Sequence, residues 1–98
     1  MLGNLFMNKV ENRISSNPQH LLQLAWQQLE AGNLKPAVIT CQSLNNEYPQ
    51  IFEGWAVSSQ VALRLGNAEK SLNFIERAIT LKSDEGPLFF FKAQTLLA

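Results

Sequence analysis

The side chains that could perform chemistry are few and far apart. His20 is the only histidine and Cys41 the only cysteine in 98 residues. A histidine works as a general base or a metal ligand only with partners, and the sequence assigns it no cysteine, serine or aspartate. Its place two residues after Pro18 makes it a solvated helix-start residue. Cys41 lies among Ala37, Val38 and Leu44, the surroundings of a small core thiol and not the electropositive setting that activates one. Being alone, it also excludes an internal disulfide and a cysteine-rich metal site. No glycine-rich phosphate loop, metal-ligand spacing or nucleophile signature occurs. Glu76, Arg77, Asp84 and Glu85 read as solvated charges. These residues point to a protein that is not itself an enzyme and that needs neither cofactor nor metal.

Composition narrows the class further. Eight basic and eight acidic residues cancel. Nucleic-acid binders draw much of their affinity from neutralising phosphates with a basic patch, and this chain has no basic run. The apolar share of 46% is that of a folded domain. A chain of this size buries roughly two-thirds of its unfolded surface, enough for stability without covalent staples. Leu2, Leu5, Phe6 and Met7 are interrupted by Asn4 and Asn8, too polar a stretch for a signal-peptide core. No run approaches the roughly 20 apolar residues of a membrane span. The expectation is a soluble, cytoplasmic protein.

The elements that would position any functional side chain are helices. Asn17-Pro18 is a helix start, since Asn accepts from orphan backbone N–H groups and Pro suits the first helical position. Leu21, Leu24, Ala25 and Leu29 then recur at helical spacing up to Gly32, which can take the left-handed conformation that ends a helix. Asn33 is expected to cap the next helix, with Pro36 in its first turn and Ala37, Val38, Cys41 and Leu44 as its apolar stripe. Tyr48-Pro49 stops it. A second pair follows. Phe52, Trp55, Ala56, Ser59, Val61, Ala62 and Leu63 lead to Gly66, and Asn67 caps a helix bearing Leu72, Ile75, Ala78 and Ile79. A last helix carries Leu88, Phe89, Ala93, Leu96 and Leu97. Val38 to Thr40 and Leu88 to Phe91 are the only β-prone runs, each inside a helical pattern.

Leu29-Glu30-Ala31-Gly32-Asn33 and Leu63-Arg64-Leu65-Gly66-Asn67 are the same phrase set 34 residues apart. A fixed period of this length marks stacked copies of one unit. A 34-residue helix–turn–helix with small residues at two set places resembles the tetratricopeptide repeat (TPR). Where that family puts a large apolar residue in its first helix stand Leu21, Trp55 and Phe89. Where it needs a small one so that the two helices can close stand Ala25, Ser59 and Ala93, and in the second helix Ala37 and Ser71. Cys41 and Ile75 hold the large apolar place of the second helix, followed by Ala78 and Pro49 at later family positions. Leu44, Gln28, Ser58, Lys92 and Ser83 depart from the pattern. The small places have a physical logic: helices in close approach need a small side chain where they cross, with large ones around it.

The resemblance implies an all-α, right-handed solenoid of helical hairpins with about six helices. Residues 1–17 would form an N-terminal half-repeat or capping helix, with Gly3, Met7 and Val10 at family positions, or else a frayed amphipathic leader. Residues 18–51 and 52–85 are the two full units, and 86–98 the first helix of a truncated third. In this family the first helices line a concave groove. Carried over, the groove residues are Gln19, Leu22, Gln23, Trp26, Leu29 and Glu30; Glu53, Ala56, Val57, Gln60, Leu63 and Arg64; and Pro87, Phe90, Phe91 and Gln94. The implied function is a protein–protein interaction module that binds a peptide or partner helix. Trp26, Phe90 and Phe91 are its anchors unless they pack into the core, and Gln23, Gln60 and Gln94 would set register. Family members that grip acidic chaperone tails need cationic and amide residues where Leu22, Trp26, Val57, Pro87 and Phe91 stand, which disfavours that ligand. Phe89, Phe90, Phe91, Leu96 and Leu97 lack the helix that would cover them. Either more chain follows or a second copy covers the face, giving a homo-oligomer. The alternative function is an N-terminal accessory or oligomerisation region of a larger enzyme such as a transferase.

Overall fold

The repeated phrase is a repeated helix stop. In the computed structural model, which describes residues 17–98, Gly32 and Gly66 both sit at φ +79°. Each is followed by an asparagine whose N–H reaches back to the last turn, Asn33 to the Gln28 carbonyl at 2.8 Å and Asn67 to that of Ala62 at 2.9 Å. The glycine N–H groups bond the carbonyls of Leu29 and Leu63, both at 3.0 Å. This pair of bonds satisfies orphan carbonyls at a helix end and requires a left-handed residue between them, which glycine supplies without steric cost.

Five helices are present among the described residues, and no strand. They are α1 (Pro18–Glu30), α2 (Leu34–Glu47), α3 (Phe52–Arg64), α4 (Ala68–Leu81) and α5 (Gly86–Leu96). The half-repeat expected in residues 1–17 lies outside the described residues, Asn17 apart. Asn17 caps α1 as expected, its Oδ1 accepting from the backbone N–H of Gln19 at 2.9 Å and of His20 at 3.4 Å. Asn67 caps α4 by accepting from Lys70 N–H at 3.0 Å. Asn33 does not repeat this: its side chain makes no capping bond to α2. The reason is local. The residue three beyond Asn67 offers an N–H, whereas the residue three beyond Asn33 is Pro36, which has none.

Helix α1 packs on α2 and α3 on α4, and the two hairpins stack through α1 against α3 and α2 against α3. Helix α5 lies on both α3 and α4. Thus α3 touches every other helix, and its buried run is correspondingly broad: Gly54, Ala56, Val57, Ser58, Ser59, Val61 and Ala62. One core cluster joins Ala25, Leu29, Ala37, Cys41, Val57 and Val61, and a second joins Ala56, Ile75, Ala78 and Leu88. Four of the small places behave as close-crossing sites. Ala25, Ala37, Ser59 and Ser71 have no exposed surface, and the two serine hydroxyls lie 2.9 Å apart.

Helix α5 departs from its expected apolar stripe. Ala93 is exposed and Phe89 is 49% exposed, whereas Leu88 and Thr95 are buried. The resemblance had Ala93 and Phe89 face a further helix, and no further helix lies against them among the described residues. The contacts of α5 are made instead by the face turned to α3 and α4. Thr95 completes a hydroxyl chain there. It donates to the Phe91 carbonyl at 3.1 Å and accepts from Ser71 at 2.7 Å, so Ser71 in turn accepts from Ser59. Each hydroxyl has one proton, and this ordering leaves none of the three unpaired.

Candidate functional site

Two surfaces emerge from the stacking, one formed by α1, α3 and α5 and the other by α2, α3 and α4. On the first, Trp26 of α1 and Phe91 of α5 meet with ring centroids 6.5 Å apart and tilted 45°, and Phe90 continues the row at 6.3 Å from Phe91. Trp26 packs on the cluster that holds Val57, and Phe91 on the one that holds Ala56. The rings therefore close over the intervening helix. Offset and tilted aromatic pairs at this spacing add about 0.5–1.5 kcal/mol beyond the area that they bury.

This closure divides the residues expected to face a groove. Gln19, Gln23, Glu30, Glu53, Arg64, Pro87, Phe90 and Gln94 are exposed, and Leu22, Trp26, Leu63 and Phe91 are half-buried. Val57 is not a surface residue: it is fully buried in the first core cluster. Leu29 and Ala56 are likewise core residues. Helix α3 is flanked on this face by α1 and α5 together, so its inner positions are covered where those of an outer helix stay open. Gln60 is half-buried, and its Nε2 has no hydrogen-bond partner. Gln19, Leu22 and Glu53 do come together, lining a shallow depression with Asn17, Pro18 and Ile51 at the N-terminal ends of α1 and α3.

The second surface was not legible as a site. Between α2 and α4, over α3, lies a cleft of about 380 Å³, and none of the expected groove residues lines it. Val61, Ala62 and Ser58 of α3 lie at its base. Trp55 and Phe74 form an aromatic wall with centroids 6.0 Å apart. The indole is held in place: its Nε1–H donates to the Pro49 carbonyl at 2.9 Å, and the Arg77 guanidinium lies 4.7 Å from its ring centroid. Arg77 is therefore a cation stacked on an aromatic face and not merely a solvated charge. The signal that could have exposed the cleft is the spacing of Lys70 and Phe74 on one face of α4, just after its N-cap Asn67.

Polar groups near the cleft are tied to α3. Asn45 Nδ2 donates to Ser58 Oγ at 2.8 Å, and Ser58 donates to the Gly54 carbonyl at 2.7 Å. The Cys41 thiol lines the same cleft. Burial raises its pKa, partly offset by a hydrogen bond with Ser58, so the group is a neutral core thiol as its neighbours suggested. His20 is exposed, and no group of three or more histidine, cysteine or carboxylate side chains is placed to hold a metal among the described residues. Asp84 is not solitary: Lys82 Nζ lies 3.2 Å from its carboxylate and, through that hydrogen bond, lowers its pKa. No described helix is long and apolar enough to cross a membrane.

No family model, no curated protein and no solved structure matches this chain. The architecture and its surfaces define an all-helical protein of packed hairpins.

Proposed function

We propose that this chain is a protein-interaction module of the tetratricopeptide kind, holding a peptide or a partner helix against the face of α1, α3 and α5. The observation that carries this reading is the aromatic row Trp26–Phe91–Phe90, which ends in a ring that is 62% exposed. Gln19 and Gln23 of α1 and Gln94 of α5 are exposed, and the resemblance assigns them to this groove. An exposed aromatic anchor on helices that also carry carboxamides suits burial of a partner's apolar side chain with hydrogen bonds beside it. The working location is the cytoplasm, where a lone thiol stays reduced.

The test is a selection of helical and extended peptides on the wild-type chain, followed by affinity and melting measurements on Phe90→Ala and Gln94→Ala. Loss of about tenfold or more in affinity at an unchanged melting temperature supports the reading. Selected peptides that are indifferent to both substitutions refute it.

A second property rests on a separate observation. Phe89 and Leu96 of α5 and Leu97 at its C-cap are 49%, 63% and 88% exposed. We propose that this face drives self-association of the chain, which sedimentation at rising concentration would reveal. A strict monomer throughout would remove the proposal.

A further inference from the structure

We propose that the cleft between α2 and α4 is a second binding site, taking an extended partner segment with apolar residues between two acidic ones. This is independent of the reading of the α1–α3–α5 face, because the two sites share no residue.

Shape and chemistry argue for it together. The cleft volume of about 380 Å³ falls within the range of ligand sites and admits a short peptide stretch. Val61 and Ala62 line it on α3, and Trp55 and Phe74 wall one side. The wall is organised before any ligand arrives, since the indole is hydrogen-bonded to Pro49 and stacked by Arg77. A surface already in its bound shape loses less freedom on association. Gln42, Asn46 and Asn67 border the cleft. A carboxamide donates and accepts at once, which complements a peptide group and gives a peptide the advantage over a purely apolar ligand.

Charge decides the sequence of the occupant. Among the described residues, Lys70 is the only ionisable lining residue besides the neutral Cys41, and no carboxylate lines the cleft. Arg77 follows on the same face of α4, two helical turns further, against the aromatic wall. Neither cation forms a salt bridge among the described residues. Seven residues of helix separate them by about 10 Å along the axis. An extended chain of the polyproline type, with three residues per turn, covers about 9 Å in three residues and returns the side chain at i+3 to the same face. The complement is therefore two carboxylates at i and i+3 with apolar side chains between them, in a protein whose overall charge is zero and so supplies no general attraction for anions.

The test uses two tetrapeptide probes, acetyl-Glu-Leu-Leu-Glu-amide and acetyl-Lys-Leu-Leu-Lys-amide, titrated to millimolar concentration into the ¹⁵N-labelled full chain. The two tryptophan indole signals separate the surfaces, because Trp55 lines the cleft and Trp26 belongs to the opposite row. The expected result is a saturable shift of the Trp55 signal with the acidic probe alone. Lys70→Glu, at an exposed position, should weaken the acidic probe about tenfold and confer a response to the basic one. Helical circular dichroism confirms that the variant remains folded. An unmoved Trp55 signal, equal responses to both probes, or indifference to Lys70→Glu each overturns the proposal. A shift of Trp26 alone also overturns it while supporting the other face.

Discussion

The hydroxyls of Ser59 and Ser71 meet at 2.9 Å where α3 crosses α4, at the places held 34 residues earlier by Ala25 and Ala37. One repeat thus closes its helix pair with two methyl groups and the other with a hydrogen bond, and only the second extends to α5, through Thr95. Replacing Ser71 by Ala breaks the chain in the middle. Thr95 keeps its bond to the Phe91 carbonyl, and Ser59 loses its acceptor. The expected cost is about 1–2 kcal/mol, read from denaturant midpoints at constant slope. Ser71→Val should cost more, because it also crowds a site with no exposed surface.

Gly54 is the tight contact between α2 and α3. A Cβ placed there would lie 2.5 Å from Asn45 Oδ1 and 3.1 Å from Leu44 Cγ. Alanine would gain about 1 kcal/mol of helix propensity, but overpacking of a filled core costs about 1–3 kcal/mol. Asn45 is held by its bond to Ser58, so it yields poorly. Net destabilisation of Gly54→Ala by about 1 kcal/mol is expected in urea denaturation; a stabilised variant would show that Asn45 moves aside freely.

The two capping asparagines should respond unequally. Asn67→Ala removes a side-chain bond to the α4 N-terminus and should cost about 1 kcal/mol. Asn33→Ala removes no such bond and should cost only a few tenths, measured in parallel melts.

Trp26 and Phe91 should be energetically coupled. A double-mutant cycle with Trp26→Ala and Phe91→Ala is expected to return about 0.5–1.5 kcal/mol, the range for a tilted aromatic pair. Strictly additive effects would mean that the rings act separately.

Cys41 makes stability depend on alkaline pH. Its folded pKa is raised by burial, so the native state binds the proton more tightly than the unfolded chain. The stability from the neutral thiol is complete below the unfolded pKa and is lost as pH rises from there through the folded one. Cys41→Ala should flatten this alkaline decline while lowering stability at neutral pH through lost packing, both visible in denaturation curves across pH.

The local structure was largely legible from residue types. Asn17-Pro18 marked a capped start, and Gly32 and Gly66 marked stops that need a positive φ. Apolar residues at helical spacing identified the buried stripes of α1 to α4. These signals act over one or two turns and are contained in neighbouring residues. The twin asparagines show the limit even at this range, because Pro36 cancelled a capping bond that Asn33 alone predicted. The site was less legible. Val57 was a groove residue only by the position that the family resemblance gave it, and its packing against residues of α1 and α2 buried it. The cleft was harder still, since its walls come from three helices and Trp55 is anchored by Pro49 and Arg77 from different segments.

By itself, then, the sequence determined the helices, their stops and the small side chains at which paired helices close, because propensity, capping and periodicity are local. The tertiary structure decided which faces remain open. Exposure depends on what neighbouring helices cover, so the packing of α1 and α2 against α3 buried Val57. The spacing of α2 and α4 about α3 left the cleft that Lys70 lines, with Arg77 stacked on its Trp55 wall.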